Sequence, residues 1–248
     1  MNDIHAISDN LFGFYRYASG ISQPAGPEDR IQVVGSPGGP WPSYILGKGA
    51  LKGNEVLALV NDIKEDRLPA FWIHELASEN ELDSILAENG IRMMNRWSGM
   101  ILKRNQPFEL KDDCISREIT IENECEQWAG LVSREVMNSR SLDPGMVLRM
   151  QQQGRVKIFG RWQEEELVST TLVFIETGVA GIYFVATSKD RRGKGHGTAV
   201  LCSAINACIS EGLTTFVLHA TSMGKGLYNR IGFADKVSYG IYWMLGKK

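Results

Sequence analysis

The sequence predicts an α/β fold, in which helices pack against a mixed sheet with parallel and antiparallel strands. Three observations predict it. From Ile119 onward, apolar runs of strand length alternate with amphipathic segments of helix length. A glycine-rich basic stretch joins one of these strands to one of these helices. The first half repeats part of the same order, so we expect two related halves in tandem.

Composition limits the classes of function. The 248 residues are 43% apolar and 23% charged, as in soluble globular proteins, and the net charge of −2 gives no reason to expect a nucleic-acid partner. The N-terminus lacks a signal-peptide pattern, and no apolar run is long enough to span a bilayer. The cysteines show no metal-ligand spacing, so we expect free thiols in a cytoplasmic protein, with no metal and no membrane partner. They are Cys114, Cys125, Cys202 and Cys208.

The second half gives the clearer element order. A short strand near Ile119 precedes a helix that buries Trp128, and Asp143-Pro144 predicts the start of a second helix. An antiparallel meander of three strands follows, then a helix that ends at Gly212. The strand LTTFVLHA, a short helix around GKGLYNR and the strand SYGIYWML complete the series.

The first half contains a partial echo of this order. Strands IQVVG and PSYILG precede a helix over 54–64, then a strand AFWIH, a helix that Ser78 and Glu81 open as a capping box, and a strand IRMMNRWSGMILK. The segment ILAENGI (85–91) aligns with LYNRIGF (227–233), and Leu86 then stands where the second half has Tyr228. The polar stretch 106–113 predicts the boundary, which gives domains 1–112 and 113–248.

The stretch KDRRGKGHGTAV (189–200) has the chemistry of an anion site. The first turn of a helix carries amide N–H groups without intrahelical partners, at the positive end of the helix dipole. Glycines allow a phosphate to approach those amides closely, and the arginines and lysine add positive charge. The spacing is neither that of a Walker A loop nor that of a dinucleotide-binding G-x-G-x-x-G turn.

The pattern Arg192-x-x-Gly195-x-Gly197, with LYNRIGF about thirty residues later, resembles the GNAT superfamily of N-acetyltransferases. The resemblance implies a GNAT-like fold that uses acetyl-CoA as co-substrate, held by its pyrophosphate on the loop. It also implies that the strand before the loop grips the pantetheine through main-chain atoms, and that Tyr228 protonates the departing thiolate. The cofactor-binding residues implied are Val185, Ala186, Thr187, Arg192, Gly193, Lys194, Gly195, His196, Gly197 and Thr198.

Other parts of the site stay open at the level of sequence. The general base is Glu176, His219 or a water molecule, and Thr221 or Ser222 stands in for an asparagine that many family members carry. The first half resembles a degenerate copy of the fold, because SPGGPWP (36–42) lacks basic residues and a following helix. We therefore expect no second cofactor site there.

The leading functional hypothesis is direct transfer of an acetyl group from acetyl-CoA to an amine of a small molecule or peptide. The alternative is a non-catalytic module that binds or senses acyl-CoA. A nucleotide-binding oxidoreductase is disfavoured by the glycine spacing. The sequence is compatible with a monomer or a homodimer, and it does not identify the acceptor.

Overall fold

The computed structural model describes residues 2–20, 30–76, 82–110, 116–137 and 141–247. The helices are α1 (Asp3–Ala18), α2 (Gly53–Lys64), α3 (Leu82–Glu88), α4 (Glu122–Glu135), α5 (Pro144–Gln152), α6 (His196–Ser210) and α7 (Ser222–Ile231). The strands are β1 (Ile31–Val34), β2 (Tyr44–Gly47), β3 (Phe71–Leu76), β4 (Ile91–Lys103), β5 (Ser116–Glu118), β6 (Val156–Gln163), β7 (Glu166–Glu176), β8 (Val179–Thr187), β9 (Thr215–Ala220) and β10 (Ala234–Met244).

The chain forms two compact units. Unit 1 comprises Met1–Met100, His219–Tyr228 and Ala234–Lys248, and unit 2 comprises Ile101–Leu218 and Asn229–Phe233. The last strand, β10, therefore returns to the unit that contains the start of the chain. The predicted functional division at residue 112 into a degenerate and a catalytic domain stays a prediction.

Unit 1 has the strand order β1-β2-β3-β10-β4. Strand β2 is parallel to β3, and β10 is antiparallel to β3, with Tyr239 opposite Glu75. Helices cover both faces of this sheet. Tyr242 and Trp72 are buried in a core with α2 and α3, while Tyr239 lies under α1, where its hydroxyl contacts Ser8.

Unit 2 contains the last residues of β4 and has the strand order β4-β9-β8-β7-β6-β5. The pairs β5–β6, β6–β7 and β7–β8 are antiparallel, and β8–β9 is parallel. This alternation arises because hairpins join β6, β7 and β8, whereas the crossover helix α6 joins β8 to β9. Helices α4, α5 and α6 pack against this sheet and bury their apolar residues, including Trp128, Val147 and Leu201.

The predicted fold class, an α/β fold with a mixed sheet, is confirmed. Asp143 caps α5, with Pro144 at its first position. Gly212, with φ +88°, ends α6: its N–H donates to the carbonyl of Ile209, and the N–H of Leu213 donates to that of Cys208.

One feature of the first half differs from the prediction. Helix α1 was not predicted, although its residues Ile7, Leu11 and Phe14 are buried at helical spacing. The segment SPGGPWP joins antiparallel strands β1 and β2, and residues 48–52 join β2 to α2, in the order that the sequence predicts. The predicted capping box of Ser78 and Glu81 lies outside the described residues. None of the described helices is long and apolar enough to cross a membrane.

Candidate functional site

The N-cap residue of α6 provides no side-chain hydrogen bond to the first amides of the helix. It is Gly195, with φ +84°, and only its backbone carbonyl accepts, from the N–H of Ala199 at 3.0 Å. The first turn also contains no acidic residue. The helix is 15 residues long, so its dipole is well developed at the amides of His196, Gly197 and Thr198. These amides have the arrangement that can bind an anion.

The two glycines before the helix combine a left-handed backbone with open space. Gly193 has φ +77° and Gly195 has φ +84°, a region that side chains rarely adopt. A Cβ atom at either position would meet no heavy atom within 4 Å. The loop therefore presents bare backbone to whatever binds there. A pyrophosphate group fits such a cradle, because several amides can approach its oxygens.

The basic side chains of the loop also have partners within unit 2. The Arg192 guanidinium donates to Glu135 of α4 at 2.5 Å and to the carbonyl of Thr187 at 3.2 Å. The same carboxylate accepts the N–H of Lys189 at 3.2 Å. Arg191 pairs with Glu166 at 2.9 Å. Arg192 thus ties the loop to α4 while its side chain stays 45% exposed.

Two predicted loop residues differ in what they present. Lys194 is exposed, with its Nζ 3.4 Å from the carbonyl of Asp190. His196 is buried, and its Nδ1 accepts a hydrogen bond from Nε of the buried Arg161 at 3.1 Å. Its imidazole therefore points into the interior of unit 2, so that at the helix end His196 contributes backbone and no side chain.

Strand β8 contains a β-bulge just before its last residues. Thr170 is paired with Ala186 and Leu172 with Tyr183, so that Phe184 and Val185 together oppose Thr171. Phe184 has φ +49°, which is uncommon for a residue with a side chain. A bulge takes a residue out of the ladder and redirects its backbone groups. No local signal in the sequence predicts this bulge, because no glycine marks it.

The end of β8 has main-chain groups on one side that β7 does not use. Ser188 donates its N–H to Val168 of β7. Because backbone groups alternate along a strand, the amide of Thr187, next to Ser188, faces away from β7. On that side, paired residues of β8 and β9 end at Ile182, whereas β8 continues to Thr187. These are the groups that the resemblance assigns to pantetheine.

Hydroxyl residues of β7 hold this end of β8 in place, a role that the sequence analysis missed. Ser169 donates to the carbonyl of Ala186 at 2.8 Å and its Oγ lies 2.8 Å from the hydroxyl of Thr187. Thr171 donates to the carbonyl of Tyr183 at 3.4 Å. Both β7 residues are buried. Their hydroxyls bond to backbone on both sides of the bulge and so stabilise its geometry.

Tyr228 lies in α7, within unit 1. Burial raises the pKa of Tyr228 to about 12, so its hydroxyl is protonated throughout the neutral range. Its ring packs over Gly224, where a Cβ atom would lie 3.1 Å from the ring. Thr221 accepts the N–H of Gly224 at 3.4 Å, at the start of the helix, and Ser222 is exposed. The Thr221 hydroxyl therefore serves the helix start.

The two side chains considered as general base lie in unfavourable surroundings. Glu176 is opposite Val179, at the end of β8 that is farthest from Thr187, and it pairs with Arg155 at 2.6 Å. His219 lies edge-on to Tyr239, and burial lowers its pKa to about 3, which makes it a weak base. Within the described part of the chain, no three His, Cys, Asp or Glu residues are grouped as metal ligands.

Comparisons with known proteins agree with this geometry. Residues 123–233 match the model of the acetyltransferase (GNAT) family. A GCN5-related N-acetyltransferase from Kribbella flavida is 14% identical, with a TM-score of 0.66 over 96% of each chain. One from Sphaerobacter thermophilus is 15% identical, with a TM-score of 0.65 over 98% of this chain and 93% of that one.

A conserved protein of unknown function from Staphylococcus epidermidis is 12% identical, with a TM-score of 0.66 over 88% of this chain and 92% of that one. No curated protein matches the chain. Identities this low show a shared fold, whereas the family match covers the loop, α6 and Tyr228 directly. The chain therefore contains an acetyltransferase domain of the GNAT family at residues 123–233, as the loop and the tyrosine joint predicted.

Proposed function

We propose that this protein is an acetyl-CoA-dependent N-acyltransferase, which transfers the acetyl group directly to an amine of a small molecule or a peptide. One observation carries the proposal: the uncapped N-terminus of α6 follows a bare glycine loop, which in turn follows the bulged end of β8. This order provides an anion site next to a row of main-chain donors and acceptors. An acyl-CoA needs both, because it has a pyrophosphate and an amide-containing arm.

The roles of the residues follow from these positions. The amides of Gly193, Gly195, His196, Gly197 and Thr198 bind the pyrophosphate, and Arg192 and Lys194 add charge. The main-chain groups of Val185, Ala186 and Thr187 bind the pantetheine arm. Such binding orients the thioester for attack, and an N–H aimed at its carbonyl oxygen stabilises the charge that develops there.

Tyr228 completes the transfer as general acid. The amine nitrogen forms a bond to the thioester carbonyl carbon, the carbon–sulfur bond breaks, and the thiolate takes the proton of the Tyr228 hydroxyl. The surplus proton on the nitrogen passes to water, and water reprotonates the tyrosine. Because its pKa is about 12, Tyr228 is in the protonated, proton-donating form at every pH at which the protein is assayed.

A non-catalytic acyl-CoA-binding module remains the second candidate, favoured by the low basicity of His219 and by the distance of Glu176 from the loop end of β8. In either case we propose that acetyl-CoA binds once per chain, in a cytoplasmic protein that acts as a monomer or homodimer without nucleic acid or membrane partners. The first half is then a degenerate copy of the fold, without a cofactor site.

The test combines calorimetric titration with acetyl-CoA and turnover over a panel of amines. We expect micromolar binding, and we expect Tyr228→Phe to lower kcat by about 10²–10⁴-fold while the Kd for acetyl-CoA is unchanged. The rate of the wild type should show no alkaline loss from Tyr228 below about pH 11. Binding without turnover would favour the sensing module, and no binding by the folded protein would refute both.

A further inference from the structure

A cleft of about 650 Å³ opens within unit 1, away from the glycine loop in the sequence. Helix α1 and strands β3, β4 and β10 contribute to its wall, and so does the first half of α7. Its size lies within the range of small-molecule sites. The side chains that matter for its chemistry are charged: Glu75, Arg96, Lys225, Asp235 and Lys236.

Three of these five charged side chains have an ion-pair partner. Lys225 pairs with Asp235 at 2.8 Å, and Lys236 pairs with Asp3 of α1 at 3.1 Å. Glu75 and Arg96 form no ion pair with any residue that the structure describes. The cleft therefore presents one carboxylate and one guanidinium without an ion-pair partner in the described part of the chain.

Glu75 is held in a defined position by a buried chain of hydroxyls. Ser8 donates to one carboxylate oxygen of Glu75 at 2.5 Å, and its Oγ lies 2.6 Å from the hydroxyl of Tyr239. Ser8 and Tyr239 are both buried, and burial raises the pKa of Tyr239, so that its hydroxyl stays a donor. The second oxygen of Glu75 has no hydrogen bond to the described residues. It is free to accept one from a ligand.

The cleft is connected in sequence and in space to the proposed proton donor. Lys225, in its wall, precedes Tyr228 by three residues on α7, so that both side chains emerge from the same face of the helix. Gly224, beside Lys225, is the residue over which the Tyr228 ring packs. A ligand in the cleft would therefore be bound beside the helix that carries Tyr228.

We propose that this cleft binds the acceptor, and that the acceptor is a small molecule with both an amine and a carboxylate, such as an α-amino acid. Glu75 binds the ammonium group before it loses its proton, and Arg96 binds the carboxylate, for which the planar guanidinium is suited. A ligand with only one of these charges would leave the other residue of the cleft unpaired. This inference rests on the proposed transferase function and deepens it.

The test compares amine acceptors that differ in one group. Turnover is measured with α-amino acids, with their carboxamides and with the corresponding decarboxylated amines. Arg96→Gln and Glu75→Gln are compared with Arg92→Gln, which changes an exposed arginine on the same strand outside the cleft. Glu75→Gln keeps an acceptor for the Ser8 hydroxyl. The Kd for acetyl-CoA is measured for every variant.

We expect kcat/KM for amino acids to exceed that for the carboxamides by about 10- to 100-fold. Arg96→Gln should remove this preference by raising KM for amino acids. Arg92→Gln should leave the preference unchanged, and the Kd for acetyl-CoA should be the same in every variant. The inference would be overturned if kcat/KM were equal for amines with and without a carboxylate and if Arg96→Gln did not change these values. The transferase function would still stand.

If acetyl-CoA binds and no amine is acetylated, the inference is tested by the binding of an amino acid instead. Saturation-transfer NMR of an amino acid with the CoA-saturated protein then measures this binding without turnover. Binding that Glu75→Gln abolishes would support the cleft as a ligand site, although the transferase function would fall. Absence of binding would overturn the inference.

Discussion

Two crossover helices, one in each unit, follow a parallel strand and a glycine, yet only one of them has the features of an anion site. In unit 1, β2 leads through Lys48–Lys52 into α2 and then to the parallel strand β3. In unit 2, β8 leads through the glycine loop into α6 and then to β9. Gly49 has φ +71° and Gly195 has φ +84°, so both joints contain a left-handed glycine.

The difference lies in whether the first turn of the helix contains a carboxylate. Glu55, in the first turn of α2, accepts the N–H of Lys52 at 2.7 Å and pairs with Arg30 at 2.6 Å. The carboxylate therefore takes the place that an external anion would take. In unit 2 the carboxylate of Glu135 binds the N–H of Lys189 within the loop, and the first turn of α6 contains no acidic residue.

The strands before the two helices differ as well. β2 has four residues and pairs with β1 in unbroken register. β8 has nine, with a bulge at Phe184, and extends beyond its pairing with β9. A glycine before a helix is thus a weak indicator of an anion site by itself. A first helical turn without a carboxylate and the bulged strand that leads to it are what separate the α6 joint from the α2 joint.

The largest effect should come from a side chain at Gly195, compared with the same change at Gly49. Both glycines have open space around them and the same kind of backbone strain, so Gly195→Val and Gly49→Val should each destabilise the fold by about 1–2 kcal/mol or more. Only Gly195→Val should weaken acetyl-CoA binding, by about 100-fold or more, because its side chain would obstruct the phosphate. Thermal unfolding and calorimetry measure the two effects.

The outcome at Gly49 decides how specific the comparison is. Equal loss of binding in both variants would mean that stability of the whole fold, rather than the loop, controls the affinity. Unchanged binding in Gly195→Val would remove the α6 joint as the pyrophosphate site.

A smaller effect is expected at Arg192, in the loop that joins β8 to α6. We predict that Arg192→Gln weakens acetyl-CoA binding by about 10- to 100-fold, the range of a hydrogen bond to a charged group. Glu135→Gln should strengthen binding a few-fold, because it removes a competing carboxylate and frees the guanidinium. Calorimetry at two salt concentrations would measure both. If the two variants weaken binding equally, then Arg192 acts by fixing the loop to α4, and its direct contact with phosphate is excluded.

Elements with local sequence signals could be predicted, whereas features that depend on tertiary pairing could not. The strands of unit 2 and the helix after the glycine loop follow from periodicity and helix-end signals, so their bounds are close to those observed. In unit 1 the strands on either side of SPGGPWP and the helix that follows them were predicted in the same way, whereas α1 was not. The bulge at Phe184 and the contacts of Glu135 depend on tertiary pairing, which leaves no local pattern. The return of β10 to unit 1 has the same origin.

The smallest effect should come from the carboxylate that caps α2. The N–H of Lys52, and Arg30 beside it, lower the pKa of Glu55, so its stabilising contribution is complete above about pH 4.3 and is lost as the pH falls through the lowered pKa. We predict that Glu55→Gln lowers Tm by on the order of 2 °C at neutral pH and by less at pH 3. Thermal unfolding at both pH values measures this.

The same variant decides whether the first joint is an anion site closed by its own carboxylate or no site at all. We expect one acetyl-CoA per chain in both the wild type and Glu55→Gln, because β2 has no bulge and no free extension to receive a pantetheine arm. A second equivalent bound by Glu55→Gln would show that the capping carboxylate alone separates the two joints. In that case the bulge and the extension of β8 would not contribute to the difference between the two joints.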